Sequence, residues 1–71
     1  MNILYNTIFV NGEAFNCSCT MSLYDLLIYL GFQISSVVVE YNREIINSSK
    51  FSSILLVDRD RLEIITIVGG G

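Results

Sequence analysis

A chain of 71 residues that is 52% hydrophobic and 15% charged allows one small domain and is too apolar to stay disordered. Its net charge of −3, with no His, lacks the basic footprint of a nucleic-acid or anionic-membrane binder, and a basic partner surface is the more natural match. No apolar run approaches the roughly 20 residues of a membrane-spanning helix, and Met1 to Asn6 lacks the basic start and small-residue cleavage site of a secretory signal. An intracellular protein is therefore expected, cytoplasmic or, if organelle-encoded, in the plastid stroma.

Ile3 to Val10 is rich in β-formers, Asn11-Gly12 follows, and Ala14 to Cys17 continues with alternating character. Asn-Gly between two such runs predicts an N-terminal hairpin, because both central turn residues must accept positive φ. Cys17 and Cys19 stand two residues apart at the end of the second strand. That spacing is poor for a disulfide and, without His, incomplete as a zinc set; one core Cys and one loop Cys is the expected outcome.

Leu23, Leu26, Leu27 and Leu30 fall at i, i+3, i+4 and i+7, placing four leucines on one helix face. Ser22 and Asp25 resemble a capping box with Asp in place of Glu, and Gly31 suits the left-handed position past the last turn. The helix is predicted from about Leu23 to Leu30, with Leu26, Leu27, Leu30, Val38 and Ile64 in the interior. Val37 to Tyr41 reads as a strand, Asn42-Arg43-Glu44 as its turn, and Ile45-Ile46 as a short return. Asn47 to Ser53 reads as a polar loop anchored by Phe51. Ile54 to Val57, Asp58-Arg59-Asp60 and Arg61 to Val68 read as a second hairpin-like unit. Four or five strands around one helix indicate an α+β layer in which the helix covers one sheet face. A β-grasp is the natural small-domain solution, although periodicity alone leaves other α+β rolls open.

The last strand runs straight into Gly69-Gly70-Gly71. Three extended residues reach about 10 Å, enough for the terminal carboxylate to stand clear of the domain and enter another protein's active site. Without Cβ atoms such a tail passes a narrow channel. The α-carboxyl, with a reference pKa of about 3.3 to 3.7, is ionised at neutral pH and suited to attack the α-phosphate of ATP. The plain alternative is a frayed end or an expression remnant. Residues 1–68 are thus expected to form the domain and 69–71 a flexible tail.

In one order the chain carries the hairpin, the Ser22 helix start, Val39-Glu40-x-Asn42-x-Glu44-Ile45-Ile46, Asp58-x-Asp60-x-Leu62-Glu63-Ile64 and terminal Val68-Gly69-Gly70-Gly71. Over nearly its whole length it resembles the ThiS family, the sulfur carriers of thiamin biosynthesis. The resemblance implies a ubiquitin-like β-grasp fold, a mixed four- to five-stranded sheet packed on one main helix. It also implies a carrier rather than an enzyme, acting as co-substrate of other proteins and binding no cofactor of its own. An E1-like, ThiF-like enzyme would use ATP to adenylate Gly71, and a cysteine desulfurase would be the sulfur source. The thiocarboxylate on Gly71 would then donate sulfur to a ThiG-like thiazole synthase. Gly70 and Gly71 match the end of the family's tail, Gly69 an additional glycine of some members, and all three would be required for activation. Two departures stand out: about six extra residues before the Asn11-Gly12 turn, and Arg59 in a turn often written Asp-Gly-Asp.

Rival readings are the small subunit of molybdopterin synthase, with the same chemistry on another acceptor, a ubiquitin-like modifier, and a non-covalent binding module that would not need the glycines. An enzyme fits least, since there is no His, no Ser/His/Asp set and no phosphate-binding glycine loop. Asp58 and Asp60, interleaved with Arg59 and Arg61, read as a solvated turn rather than a carboxylate pair or metal site. Glu40, Glu44 and Glu63 read as surface charges, some of which could meet basic residues of an activating enzyme.

Overall fold

Strands β1 (Tyr5–Val10) and β2 (Glu13–Ser18) form an antiparallel hairpin with Val10 opposite Glu13. Asn11 and Gly12 make its turn at φ +50° and +85°, the left-handed pair a two-residue type I′ turn demands. The structure, a computed structural model, describes residues 4–67. Period-two alternation sends Ile8, Val10 and Cys17 into the core.

Helix α1 spans Leu23–Tyr29 and opens with the predicted capping box: Ser22 Oγ accepts from the Asp25 N–H at 3.0 Å and Asp25 Oδ2 from the Ser22 N–H at 3.4 Å. It ends one residue earlier than expected, with Leu30 as C-cap. Gly31, at φ +87°, donates its N–H to Ile28 O at 3.0 Å, and Phe32 to Leu27 O at 2.9 Å. These are the two bonds of a Schellman motif, and they explain why glycine sits there. Leu23, Leu26 and Leu27 are buried, whereas Leu30 is only half-buried at the helix end.

A short 3₁₀ turn (Ile34–Ser36) leads into β3 (Val37–Tyr41), which pairs with β4 (Glu44–Ile46) through the left-handed Asn42 and Arg43. The last strand, β5 (Arg61–Thr66), lies in the middle of a five-stranded sheet of order β2-β1-β5-β3-β4. It is parallel to β1 and antiparallel to β3, so the sheet is mixed, with α1 over one face. This is the ubiquitin-like β-grasp. Facing Ile64 across the β3–β5 ladder is Val39, fully buried. Val38, expected inside, is half-buried on the opposite face, because neighbouring strand residues point to opposite sides.

Two further expectations are corrected. Ile54 to Val57 is not a strand: only Leu55 bridges, to Ser22. Its backbone is taken up by the segment entering the helix, with the Leu23 N–H donating to Ile54 O at 2.8 Å and the Leu56 N–H to Met21 O at 3.0 Å. Asn47 to Ser53 is not plain loop but carries a 3₁₀ helix (Ser48–Ser53), capped by Asn47 and holding Phe51 in the core. Single side chains, Phe51 and Leu56, pin this long connection beneath the helix.

Candidate functional site

Gly69, Gly70 and Gly71, the residues singled out for chemistry, lie outside the described residues, as does Val68. What the structure places is their point of departure. The β3–β5 ladder extends one step past the strand, with the Ile67 N–H donating to Ser36 O at 2.7 Å. The chain is therefore held in the centre of the sheet through Ile67, four residues before Gly71, a span of at most about 14 Å.

The side chains of β5 divide by parity. Leu62 and Ile64 face the helix and are buried, while Arg61, Glu63 and Ile65 face outward. Ile65 lies directly opposite Val38, and Glu63 opposite Glu40, which in turn faces Ile45 on β4. Ile45 and Ile65 are 70% and 61% exposed. The sheet face away from the helix thus presents an apolar patch beside two adjacent carboxylates. Arg61 does not neutralise them; its guanidinium lies over the Phe9 ring at 4.9 Å. Among the described residues the one ion pair is Arg59–Asp58, exposed and 4.0 Å long. Like charges directly opposite in a sheet are unfavourable, so Glu40 and Glu63 make a face that favours an approaching cation. In sequence Glu40 and Glu63 read as separate surface charges; the signal that joins them is strand register, which a single sequence does not print.

The carboxylates of the Asp58-Arg59-Asp60 turn serve the fold. Asp58 Oδ1 accepts from the Thr7 N–H at 2.7 Å, tying the turn to β1. Asp60 is not the solvated residue expected of it. It is 4% exposed and accepts from the Tyr41 hydroxyl at 2.7 Å, the Val57 N–H at 2.8 Å and the Asn42 carboxamide at 3.0 Å. Burial, followed by the hydrogen bond to Asp60 and its negative charge, pushes the pKa of the Tyr41 phenol up to about 12. Both of its oxygens are thus engaged within the fold, Oδ2 by two donors and Oδ1 by one. Among the described residues no three His, Cys, Asp or Glu side chains stand together as a metal site. No helix there is long and apolar enough to cross a membrane.

Cys17 is buried and Cys19 exposed, the division anticipated from the burial habits of free Cys. Burial, reinforced by the charge of Asp60, pushes the Cys17 thiol up. A protonated core thiol is a poor nucleophile. A shallow groove of about 230 Å³ lies at the end of the hairpin, lined by Val10, Asn11, Glu13, Phe15, Leu30 and Phe32.

Comparison with known proteins gives this arrangement a family. Ycf40 of Pyropia yezoensis is 52% identical over 62 residues, 87% of each chain. The sulfur carrier protein ThiS of Bacillus subtilis is 40% identical over 52 residues, 73% of this chain and 79% of that one. The thiazole synthase of Paramagnetospirillum magneticum is 40% identical over 62 residues, which are 87% of this chain but only 19% of the synthase. In three dimensions the thiamine biosynthesis protein ThiS of Geobacter metallireducens matches with a TM-score of 0.77 at 28% identity, covering 92% of this chain and 99% of that one. The ThiS family model matches residues 8–71, from the middle of β1 through the terminal glycine, and the chain belongs to the ThiS family.

Proposed function

We propose that this protein is a sulfur carrier of thiamin biosynthesis whose working group is the carboxylate of Gly71. The observation that carries the reading is the family match running through residue 71, on a chain whose β5 is fixed at the centre of the sheet up to Ile67. A rigid base and a short glycine end suit delivery of a carboxylate into another protein's active site. Residues 1–68 form the carrier body and 69–71 the tail.

In this reading a carboxylate oxygen of Gly71 attacks the α-phosphate of ATP in an E1-like, ThiF-like enzyme, and pyrophosphate leaves. Sulfur that originates from a cysteine desulfurase replaces AMP at the acyl carbon, giving a thiocarboxylate. A ThiG-like thiazole synthase then accepts the sulfur during thiazole formation. Gly69 and Gly70 keep the approach free of side chains. The outer sheet face, apolar at Val38, Ile45 and Ile65 and acidic at Glu40 and Glu63, supports docking against a basic enzyme surface.

The test is intact-protein mass spectrometry after incubation with the activating enzyme, ATP and a sulfur source. The parent should exchange one oxygen for sulfur. Deletion of Gly71 withdraws the carboxylate by about 3.5 Å, and Gly70→Val places a branched Cβ in the tail. A misplacement of about 1 Å can cost a hundredfold in rate, so both variants should load little or no sulfur. Loading of the Gly71 deletion at the parental rate would show that the carrier group lies elsewhere.

A further inference from the structure

The edge of β5 that faces β1 is closed only part of the way. The Phe9 N–H donates to Asp60 O and the Asn11 N–H to Leu62 O, each at 2.8 Å. There β1 ends, because the left-handed Asn11 and Gly12 turn the chain into β2. The next step of the ladder is made by a side chain: Asn11 Oδ1 accepts from the Ile64 N–H at 2.7 Å, and Asn11 Nδ2 donates to Ile64 O at 3.2 Å. The carboxamide does what one more β1 peptide would do, and it can do so only once.

Strand parity fixes the direction of each successive peptide. Arg61 and Ile67 direct their backbone groups to the β3 side, where Asn42 N–H meets Arg61 O and Ile67 N–H meets Ser36 O. The carbonyls of Asp60 and Leu62 and both backbone groups of Ile64 point to the β1 side. Thr66, two residues past Ile64, therefore points its N–H and C=O to the β1 side, and among the described residues nothing meets them. The apolar groove between Phe15, Leu30 and Phe32 opens next to Asn11, whose carboxamide holds Ile64, two residues before Thr66.

We infer that Thr66 and the neighbouring groove receive an extended segment of thiazole synthase, which continues the ladder where the Asn11 carboxamide leaves it. This rests on the proposed carrier function. Gly71 stands four residues past Ile67, so an enzyme that takes sulfur from its carboxylate must come within about 14 Å of Ile67, which brings its surface within reach of the Thr66 edge. The commitment to thiazole synthase rather than another tail-binding enzyme follows from the synthase of Paramagnetospirillum magneticum, which carries a segment similar to this chain within its own polypeptide. In an added strand, backbone groups pair with Thr66 while an alternate side chain, apolar to suit Phe15, Leu30 and Phe32, turns into the groove.

The experiment uses the full-length protein and the thiazole synthase of the same organism. Amide exchange followed by NMR should show the Thr66 N–H slowed by about tenfold or more in the complex, with shifts of the Phe15 and Phe32 ring signals. Thr66→Pro removes the donor without removing a hydrogen bond of the free fold; Thr66→Ala keeps it. The proline variant should bind about tenfold more weakly than the alanine variant, the loss expected for one or two hydrogen bonds. Unchanged Thr66 exchange in a complex that does form overturns the inference, even if the proline variant is weaker, since that loss is then structural. Equal binding of the two variants also overturns it. A parent that neither loads sulfur nor binds the synthase removes the carrier reading itself, and this inference with it.

Discussion

The Tyr41 hydroxyl donates to Asp60 Oδ2 across 2.7 Å, joining the last residue of β3 to the residue just ahead of β5. Around that bond Asn42 works in both directions, donating to Asp60 Oδ1 at 3.0 Å and accepting from the Arg61 N–H at 2.8 Å. The two stretches whose residues resemble the ThiS pattern, Val39 to Ile46 and Asp58 to Ile64, are thereby one hydrogen-bonded knot. A carboxylate so deeply buried is tolerable only when donors surround it. Here the knot fixes the start of β5.

Asp60→Ala should destabilise the protein by about 2 to 3 kcal/mol, because it leaves the part-buried Val57 N–H, the Tyr41 hydroxyl and the Asn42 carboxamide without their acceptor. Tyr41→Phe removes one charge-assisted bond and should cost about 1.5 kcal/mol. Urea unfolding measures both. A cost for Asp60→Ala within about 0.5 kcal/mol, the range of ordinary surface changes, would return Asp60 to the role of a solvated turn residue.

The same contact sets a pH dependence. The fold favours the neutral phenol of Tyr41, whose pKa rises from 10.0 to about 12. A folded-state pKa above the unfolded one means that the contribution is fully present below about pH 10 and is lost as pH climbs through about 12. Absorbance titration should show a tyrosinate component near that upper value that vanishes in Tyr41→Phe. Chemical unfolding of the parent at rising alkaline pH should show a decline that the variant lacks.

Strand register makes a sharper test of the core than any leucine does. Val39 is fully buried opposite Ile64, whereas its neighbour Val38 is half-buried on the far face opposite Ile65. Val39→Ala should cost about 2 to 3 kcal/mol, from lost burial plus a cavity, and Val38→Ala under about 1 kcal/mol. Equal costs, or the reverse order, would require the register of β3 to slip by one residue.

Much of this architecture is legible in the chain because the signals are local. Asn11-Gly12 announces its turn, Ser22 and Asp25 their cap, the leucines their helix face, and Gly31 the helix end. The signals that fail depend on distant partners. Three valines in a row do not say which one faces the helix; only pairing with Ile64 decides it. Ile54 to Val57 has strand composition, yet the helix entry at Met21 to Leu23 takes its hydrogen bonds first. Asp60 looks like a turn residue until Tyr41 and Asn42, far earlier in the sequence, close over it. The open edge at Thr66 emerges only once β1 is seen to stop.

Arg59 sits at φ +72° with its side chain 84% exposed, and its ion pair to Asp58 is long and solvated, hence worth little. A side chain in the left-handed region costs roughly 1 to 2 kcal/mol, partly offset on replacement by glycine's larger unfolded-state entropy. Arg59→Gly should therefore stabilise the protein by about 0.5 to 1 kcal/mol, raising Tm by about 2 to 8 °C at this size. The Asp-Gly-Asp spelling of this turn is thus the relaxed one. A lower Tm would show that Arg59 makes contacts worth more than the strain.

The two cysteines should differ in chemistry as they do in position. Cys17 is 5% exposed in the core, and burial together with the charge of Asp60 keeps its thiol protonated, whereas Cys19 lies exposed past the end of β2. Reactivity follows thiolate and access, so a short pulse of alkylating reagent on the native protein should label Cys19 alone, with Cys17 labelled only after denaturation. Cys19→Ser should leave stability within about 0.5 kcal/mol of the parent. Cys17→Ala is the better core replacement, since a serine hydroxyl there would need a partner or cost roughly 1 to 3 kcal/mol. Neither thiol is needed if sulfur travels on the Gly71 carboxylate, so the Cys17→Ala, Cys19→Ser double variant should still gain the mass of one oxygen replaced by sulfur. If that variant melts near the parent yet acquires no sulfur under conditions that load the parent, a cysteine takes part in the transfer and the tail does not carry the chemistry alone.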